Sequence, residues 1–150
     1  LAETRRVLGL LRAPEQAPAI EPAPSLAGLE ELVAGVRGAG VDVQLHRSGD
    51  FADVTPGQQL ALYRIVQEAL TNVIKHSGAG KARVVLTRSG KEVRLEVVDD
   101  GRGSRGSPGQ GAGLRGMKER VNAYGGRFDA SDLAEGGFKV TVTIPVGAGS

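Results

Sequence analysis

Thr55-Pro56-Gly57-Gln58 is the stretch that most constrains how this chain can fold. Thr and Gln stand at capping-box spacing, each able to satisfy the other's backbone N–H. Pro sits at the first helical position, where its missing N–H is harmless and its fixed φ already suits a helix. A helix has to begin there. It continues through Leu62, Ile65, Val66, Ala69, Leu70 and Val73, an apolar stripe at helical spacing that needs a surface to pack on. Alternating stretches supply that surface: Val41/Val43/Leu45, Ala82/Val84/Leu86, Val93/Leu95/Val97, and Phe138/Val140/Val142/Ile144 running to Pro145. The second and third are joined at Ser89-Gly90 and predict a hairpin. Hairpins pair antiparallel, so the expected fold is α+β, with a mixed, mostly antiparallel sheet carrying helices on one face rather than a doubly wound parallel sheet.

The rest of the chain divides around this unit. Leu1 to Arg12 reads as the last turns of a helix, and four of the seven prolines then fall between Pro14 and Pro24, which favours extended chain. The expected organisation is a helix tail at 1–13, a linker at 14–25 and one domain at 26–150. Ser25 is placed to cap a short helix bearing Leu26, Leu29, Val33 and Val36, which Gly38 and Gly40 end. Glu68 helps form the polar face of the helix after Thr55, with Arg64, Thr71, Asn72 and Lys75, and the helix is expected to end near Ser77-Gly78. From Gly101 to Gly116 the sequence holds seven glycines in sixteen residues and reads as a loop. Leu114, Met117, Val121 and Tyr124 restart a helical stripe, which Gly125-Gly126 stops.

Composition excludes several classes. There is no Cys, hence no disulfide framework or thiolate site, which fits a reducing compartment. No apolar run approaches the roughly 18 residues of a membrane span. A net charge of +2 is a weak footprint for nucleic acid or anionic lipid. Two histidines are too few for a histidine metal site, no G-x-S-x-G elbow marks a hydrolase, and no P-loop is present. G-x-G-x-x-G occurs at Gly101/Gly103/Gly106 and Gly111/Gly113/Gly116. The first opens no helix and the second follows no strand, so a dinucleotide-binding reading is remote.

Two places could carry chemistry. Glu68 and Asn72, four residues apart, bring a carboxylate and an amide oxygen together, suited to a hard cation such as Mg²⁺ that keeps most of its ligands as water and phosphate. Alternatively Arg64 pairs with Glu68 on a solvated face. Asp99, ending a strand before Asp100-Gly101-Arg102-Gly103, could accept hydrogen bonds from a base amino group, or could be a polar strand end before a turn. Gly111 to Gly116 would set free N–H groups at a helix N-terminus, a ready place for an anion.

The order of these pieces carries a resemblance. RIVQEALTNVIKH at Arg64 to His76, VDDGRG at Val98 to Gly103 and GAGLRGMKERV at Gly111 to Val121 resemble the N, G1 and G2 boxes of bacterial sensor histidine kinases. They look most like the short-lid subfamily related to nitrate and lipid-fluidity sensors, over about residues 26 to 146. The resemblance implies the ATP-binding Bergerat fold, a two-layer α/β sandwich shared with gyrase, Hsp90 and mismatch-repair ATPases. It implies ATP and Mg²⁺ as ligands, with Asn72 on the metal and Glu68 orienting a metal-bound water or assisting proton transfer. Lys75 and His76 would face phosphates or ribose. Asp99 would read the adenine amino group, Gly101 and Gly103 would make room for the ring, and Gly111, Gly113 and the N–H groups that follow, from Leu114 on, would hold phosphate as a lid over Ser104 to Gln110 closes.

The family's phosphate acceptor is a histidine on a preceding two-helix dimerisation hairpin, typically followed by an acidic residue. His46 is followed by Arg47 on an expected strand and His76 belongs to the N box, so neither fits. The implied activity is therefore transfer of the ATP γ-phosphate to a histidine on an attached domain, without autophosphorylation of this piece alone. Its implied partners are that dimerisation domain and a response regulator. The piece itself is expected to be monomeric, cytoplasmic and free of membrane contact, within a homodimeric parent compatible with membrane anchoring. Two rival readings remain: an anti-sigma-factor-type serine kinase of the same fold, and a nucleotide-binding relay without catalysis.

Overall fold

The computed structural model describes residues 25–77, 80–101, 110–134 and 136–146, without the side chains of His76, Ser77 and 110–114. The expected helix tail, all of the linker but Ser25, Gly103 and most of the lid lie outside these residues. A 3-10 turn, Leu26–Gly28, leads into α1 (Leu29–Gly38), followed by β1 (Asp42–Ser48) and α2 (Pro56–Asn72). After a wide π-type turn, Val73–Ser77, come β2 (Lys81–Ser89), β3 (Glu92–Asp99), α3 (Gln110–Ala123), β4 (Arg127–Asp132) and β5 (Phe138–Pro145).

The five strands form one sheet in the order β1-β2-β3-β5-β4. β1 runs parallel to β2 and every other neighbouring pair is antiparallel. The expected mixed α+β sheet with helices on one face is what is found. Leu86, Leu95, Val97, Val142 and Ile144 of the sheet are buried against Leu32 and Val36 of α1, Leu62, Ile65 and Leu70 of α2, and Met117 and Val121 of α3. The opposite face is mostly polar: Arg83, Arg94, Glu96, Lys139 and Thr141 alternate with the core residues, beside half-buried Val85 and Val98, and Glu96 pairs with Arg94 at 3.0 Å and Lys139 at 3.7 Å. Such exposed pairs add little to stability, and a sheet covered on one side needs only solubility from the other.

The capping box forms as the sequence predicts. Gln58 N–H donates to Thr55 Oγ1 at 3.1 Å, and Thr55 N–H to Gln58 Oε1 at 3.0 Å. Gln58 Nε2 also donates to the Pro145 carbonyl at 2.9 Å, tying the start of α2 to the last strand. The loop from β1 into α2 is held by Arg88, whose guanidinium takes both carboxylate oxygens of Asp53 and donates to the Asp50 carbonyl. At the end of α3, Gly125 has φ +72°, and the Gly125 and Gly126 N–H groups close on the Asn122 and Val121 carbonyls at 3.0 Å each, a Schellman stop.

Four expectations need correction. Ser25 makes no capping hydrogen bond, because a 3-10 turn intervenes and α1 starts only at Leu29, with Gly28 in the cap position. The glycine-rich stretch is not loop throughout: α3 begins at Gln110, so Gly111, Gly113 and Gly116 are helical. β4 was not foreseen, since RFDASD carries a single large apolar residue on an edge strand. The polar face of α2 is solvated only in part: Thr71 and Asn72 are buried, Arg64 and Glu68 half-buried and Lys75 exposed. Among the described residues no helix is long and apolar enough to cross a membrane.

Gln58→Ala should destabilise the domain by about 2 kcal/mol, because it removes half the cap and leaves the Pro145 carbonyl without its donor. Thr55→Ala removes the cap bond alone and should cost about 1 kcal/mol. Urea midpoints of the two variants check the order.

Candidate nucleotide-binding cleft

Topology gathers the candidate residues at one end of the sheet. Ala82, at the start of β2, pairs with Asp99, at the end of β3, and Asp99 pairs with Phe138, at the start of β5. Val43, Ala82, Asp99, Phe138 and Asp132 thus form one cross-strand row, and Asp99 follows the buried positions Val93, Leu95 and Val97 of its own strand. It therefore faces the helical layer and is only 7% exposed. Its Oδ1 accepts the Gly101 N–H at 2.8 Å. Burial pushes its carboxyl above the usual carboxylate range, the Gly101 N–H opposes this, and the charges of Asp100 and Asp132 add to the upward push.

Asp100 points the other way and does a different job. Its Oδ1 accepts from Gly80 N–H at 3.0 Å and Lys81 N–H at 2.9 Å, and its own N–H donates to the Lys81 carbonyl at 3.1 Å. The sequence shows two adjacent aspartates; strand alternation separates the one that faces the helices from the one that ties β2 to β3.

The helix side follows from rotation. α2 is the middle helix, with Gln59 Oε1 accepting the Leu26 N–H at 3.3 Å and Tyr63 against Gly28 on the α1 side. On the other flank Gly57 lies under the Tyr124 hydroxyl at the end of α3. At about 100° per residue, Glu68 lies about 20° from Gly57 around the axis, with Asn72 and Lys75 close by, so all three share the flank toward α3. Asn72 is 9% exposed, Glu68 half-buried and Lys75 exposed. Lys75 and His76 ride on the π-type turn, a distortion frequent at functional sites.

The structure thus brings Glu68, Asn72 and Lys75 onto one flank and puts Asp99 at the sheet end beneath it. Gly101 is half-buried and serves Asp99 through its N–H, beyond the mere room the sequence reading assigned to it. Gly111, Gly113 and Leu114 lie in the first turns of α3, whose first four N–H groups have no partner within the helix. Among the described residues no three acidic or histidine side chains are grouped so as to hold a metal ion by themselves. A divalent ion here would draw on one amide oxygen, water and phosphate, and Asn72 suits that ligand set. Sequence reasoning missed Asp100 as a tie between strands and Gly137 in the β4–β5 turn; the lone signal for the latter is a glycine pair just before a strand.

Comparison with known proteins bears on the family and the fold. Residues 57–148 match the model of the family described as histidine kinase-, DNA gyrase B-, and HSP90-like ATPase. The sensor histidine kinase YxjM of Bacillus subtilis is 36% identical over 107 residues, 68% of this chain and 26% of that protein. The histidine-protein kinase/phosphatase UhpB of Salmonella typhimurium is 33% identical over 142 residues, 94% of this chain and 28% of that protein. The chain therefore spans about a quarter of the length of these relatives. The histidine kinase domain of the blue-light activated kinase of Erythrobacter litoralis has the same fold, with a TM-score of 0.63 at 23% identity, covering 97% of this chain and 78% of that one. The chain belongs to the histidine kinase-, DNA gyrase B- and HSP90-like ATPase family, as an ATP-binding catalytic domain.

Proposed function

We propose that this domain binds ATP with Mg²⁺ and passes the γ-phosphoryl group to a histidine on a dimerisation domain of the same protein, for relay to a response regulator. The observation that carries the reading is Asp99: a carboxylate 7% exposed, facing the helical layer, with one oxygen held by the Gly101 N–H. A buried carboxylate with acceptor capacity to spare suits an exocyclic amino group, which brings two donors and no charge.

The roles of the residues belong to the same proposal. Asp99 accepts from the adenine amino group, with Gly101 and Gly103 beside the ring. Asn72 would offer its amide oxygen to Mg²⁺, which would supply positive charge against the phosphates. Glu68, one turn back on the same flank, would orient a water there or take the proton of the acceptor imidazole, and Lys75 and His76 would face phosphate or ribose. Backbone N–H groups around Gly111, Gly113 and Leu114 hold phosphate at the start of α3. In the transfer a nitrogen–phosphorus bond forms as the β–γ bridge bond breaks and ADP departs. The protein contributes position and charge and needs no nucleophile of its own on this side. The short-lid subfamily, the division at 1–13, 14–25 and 26–150, a homodimeric and membrane-anchored parent, and the cytoplasmic setting of the domain belong to the same proposal; the similarity to UhpB, over 94% of this chain and 28% of that protein, supports the subfamily.

Calorimetric titration with ADP and a non-hydrolysable ATP analogue, with and without Mg²⁺, tests the reading. Asp99→Asn should weaken ADP by roughly 10- to 100-fold, since a hydrogen bond to a charged group contributes about 1.5–3 kcal/mol. Asn72→Ala should leave the affinity for the ATP analogue unchanged by Mg²⁺. A folded wild type that binds neither nucleotide overturns the proposal.

Asp99 also sets a pH dependence of two signs. Its folded carboxyl binds a proton more readily than the unfolded one, so in the window above the ordinary carboxylate range its contribution to stability grows as pH falls. Nucleotide affinity should fall over that same window, because the protonated group loses acceptor capacity. Asp99→Asn should raise the thermal midpoint of the nucleotide-free domain at neutral pH and remove the Asp99 part of both dependences, which melting curves and titrations from pH 5 to 8 would reveal.

A further inference from the structure

The Asp99 end of β3 is gripped from both sides by groups outside the cleft. On one side the Asp100 carboxylate takes the Gly80 and Lys81 N–H groups at 3.0 and 2.9 Å and fixes β3 to the first residues of β2. On the other side Gly137, buried in the β4–β5 turn at φ +113°, lies so close that a Cβ there would collide with the Asp99 carbonyl oxygen and stand 3.2 Å from its carbonyl carbon. The turn is itself closed by Leu133 N–H on the Gly137 carbonyl at 3.0 Å and Gly136 N–H on the Leu133 carbonyl at 3.1 Å. It cannot move aside freely. Gly136 has a similar φ, +97°, but open space where its Cβ would stand. The two glycines thus separate backbone conformation, which both require, from close approach to Asp99, which only Gly137 makes.

We propose that Asp100 and Gly137 are positioning residues of the nucleotide site, a two-point clamp on the backbone of Asp99 that sets the depth and direction of its side chain in the row between Ala82 and Phe138. The proposal rests on the nucleotide-binding reading above for its consequence in affinity, but the clamp can be measured without nucleotide. Neither residue reaches the ligand; both act through the Asp99 main chain, and a displacement of under an ångström is enough to misalign a hydrogen bond to a rigid base.

The test compares the wild type with Gly137→Ala, Gly136→Ala and Asp100→Ala, each first confirmed folded by circular dichroism. Two quantities are read: the ADP dissociation constant by calorimetry, and the exchange rate of the Gly101 amide proton by NMR, because Asp99 Oδ1 holds that proton. The expected result is that Gly137→Ala and Asp100→Ala each weaken ADP by about tenfold or more and speed Gly101 exchange, while Gly136→Ala changes either by no more than about twofold. A general loss of stability would lower all three urea midpoints without moving the affinity of the folded fraction. A folded Gly137→Ala with wild-type affinity and wild-type Gly101 exchange overturns the clamp, as does a Gly136→Ala that matches its losses. If Gly137→Ala fails to fold, a wild-type-like Asp100→Ala overturns it. A wild type that binds no ADP overturns the nucleotide reading, and Gly101 exchange then decides the clamp by itself.

Discussion

Parallel pairing of β1 with β2 is the constraint from which the rest of the molecule follows. Seven residue pairs lie in register, Asp42 with Lys81 through Ser48 with Thr87. Two parallel strands cannot be joined by a turn, so the chain leaving Ser48 must travel back the full length of the strand before β2 begins. A seven-residue strand is about 23 Å long at 3.3 Å per residue. The seventeen residues of α2 span about 25 Å at 1.5 Å per residue, so one helix makes the return in a single pass. Its apolar stripe buries against the sheet on the way. Its C-terminal end, with Asn72 and Lys75, arrives where β2 starts. Antiparallel pairing of β2 with β3 then makes that the end where β3 finishes, at Asp99. Two motifs more than twenty residues apart meet at one sheet end because of how strands are joined.

What was legible in the sequence is whatever local physics decides. The capping box at Thr55 and Gln58, the two-residue turn at Gly90 and the period-two strands were readable because each signal is carried by adjacent residues and needs no partner to be recognised. β4 was not: an edge strand with only Phe128 and Ala130 as apolar residues on its inward side shows too little alternation, and its pairing with β5 creates it. The start of α3 was misread for a related reason. Glycines at 111, 113 and 116 disfavour a helix taken alone, and packing of Met117 and Val121 against the core outweighs them. At the site, Glu68, Asn72 and Asp99 were visible as motifs. Asp100 and Gly137 were not, since a main-chain tie and a missing Cβ are defined only by what lies across the gap.

The burial of Asp99 costs the fold stability. It ends β3 in the inward row between Ala82 and Phe138, where an apolar side chain would complete the layer. A carboxylate there loses water and feels the charges of Asp100 and Asp132, with the Gly101 N–H in compensation. A side chain selected for packing alone would not be charged. This conflict between the local rule and the residue present is itself a marker of function, and it is sharper than the glycine-rich pattern nearby, because glycine has many structural uses and a buried, under-compensated carboxylate has few.

The same reasoning explains why the fold needs α2 in the middle. A helix at the edge of the layer would turn its polar face to water, and a solvated amide or carboxylate makes a weak ligand because water competes for it. In α2 itself Gln67, Thr71 and Asn72 are hidden from solvent, with the Thr71 hydroxyl turned back on the Gln67 carbonyl at 2.7 Å. Asn72, 9% exposed, is therefore reached by little bulk water. On the proposed role of Asn72, the packing that buries the core also limits the water that would compete for its amide oxygen.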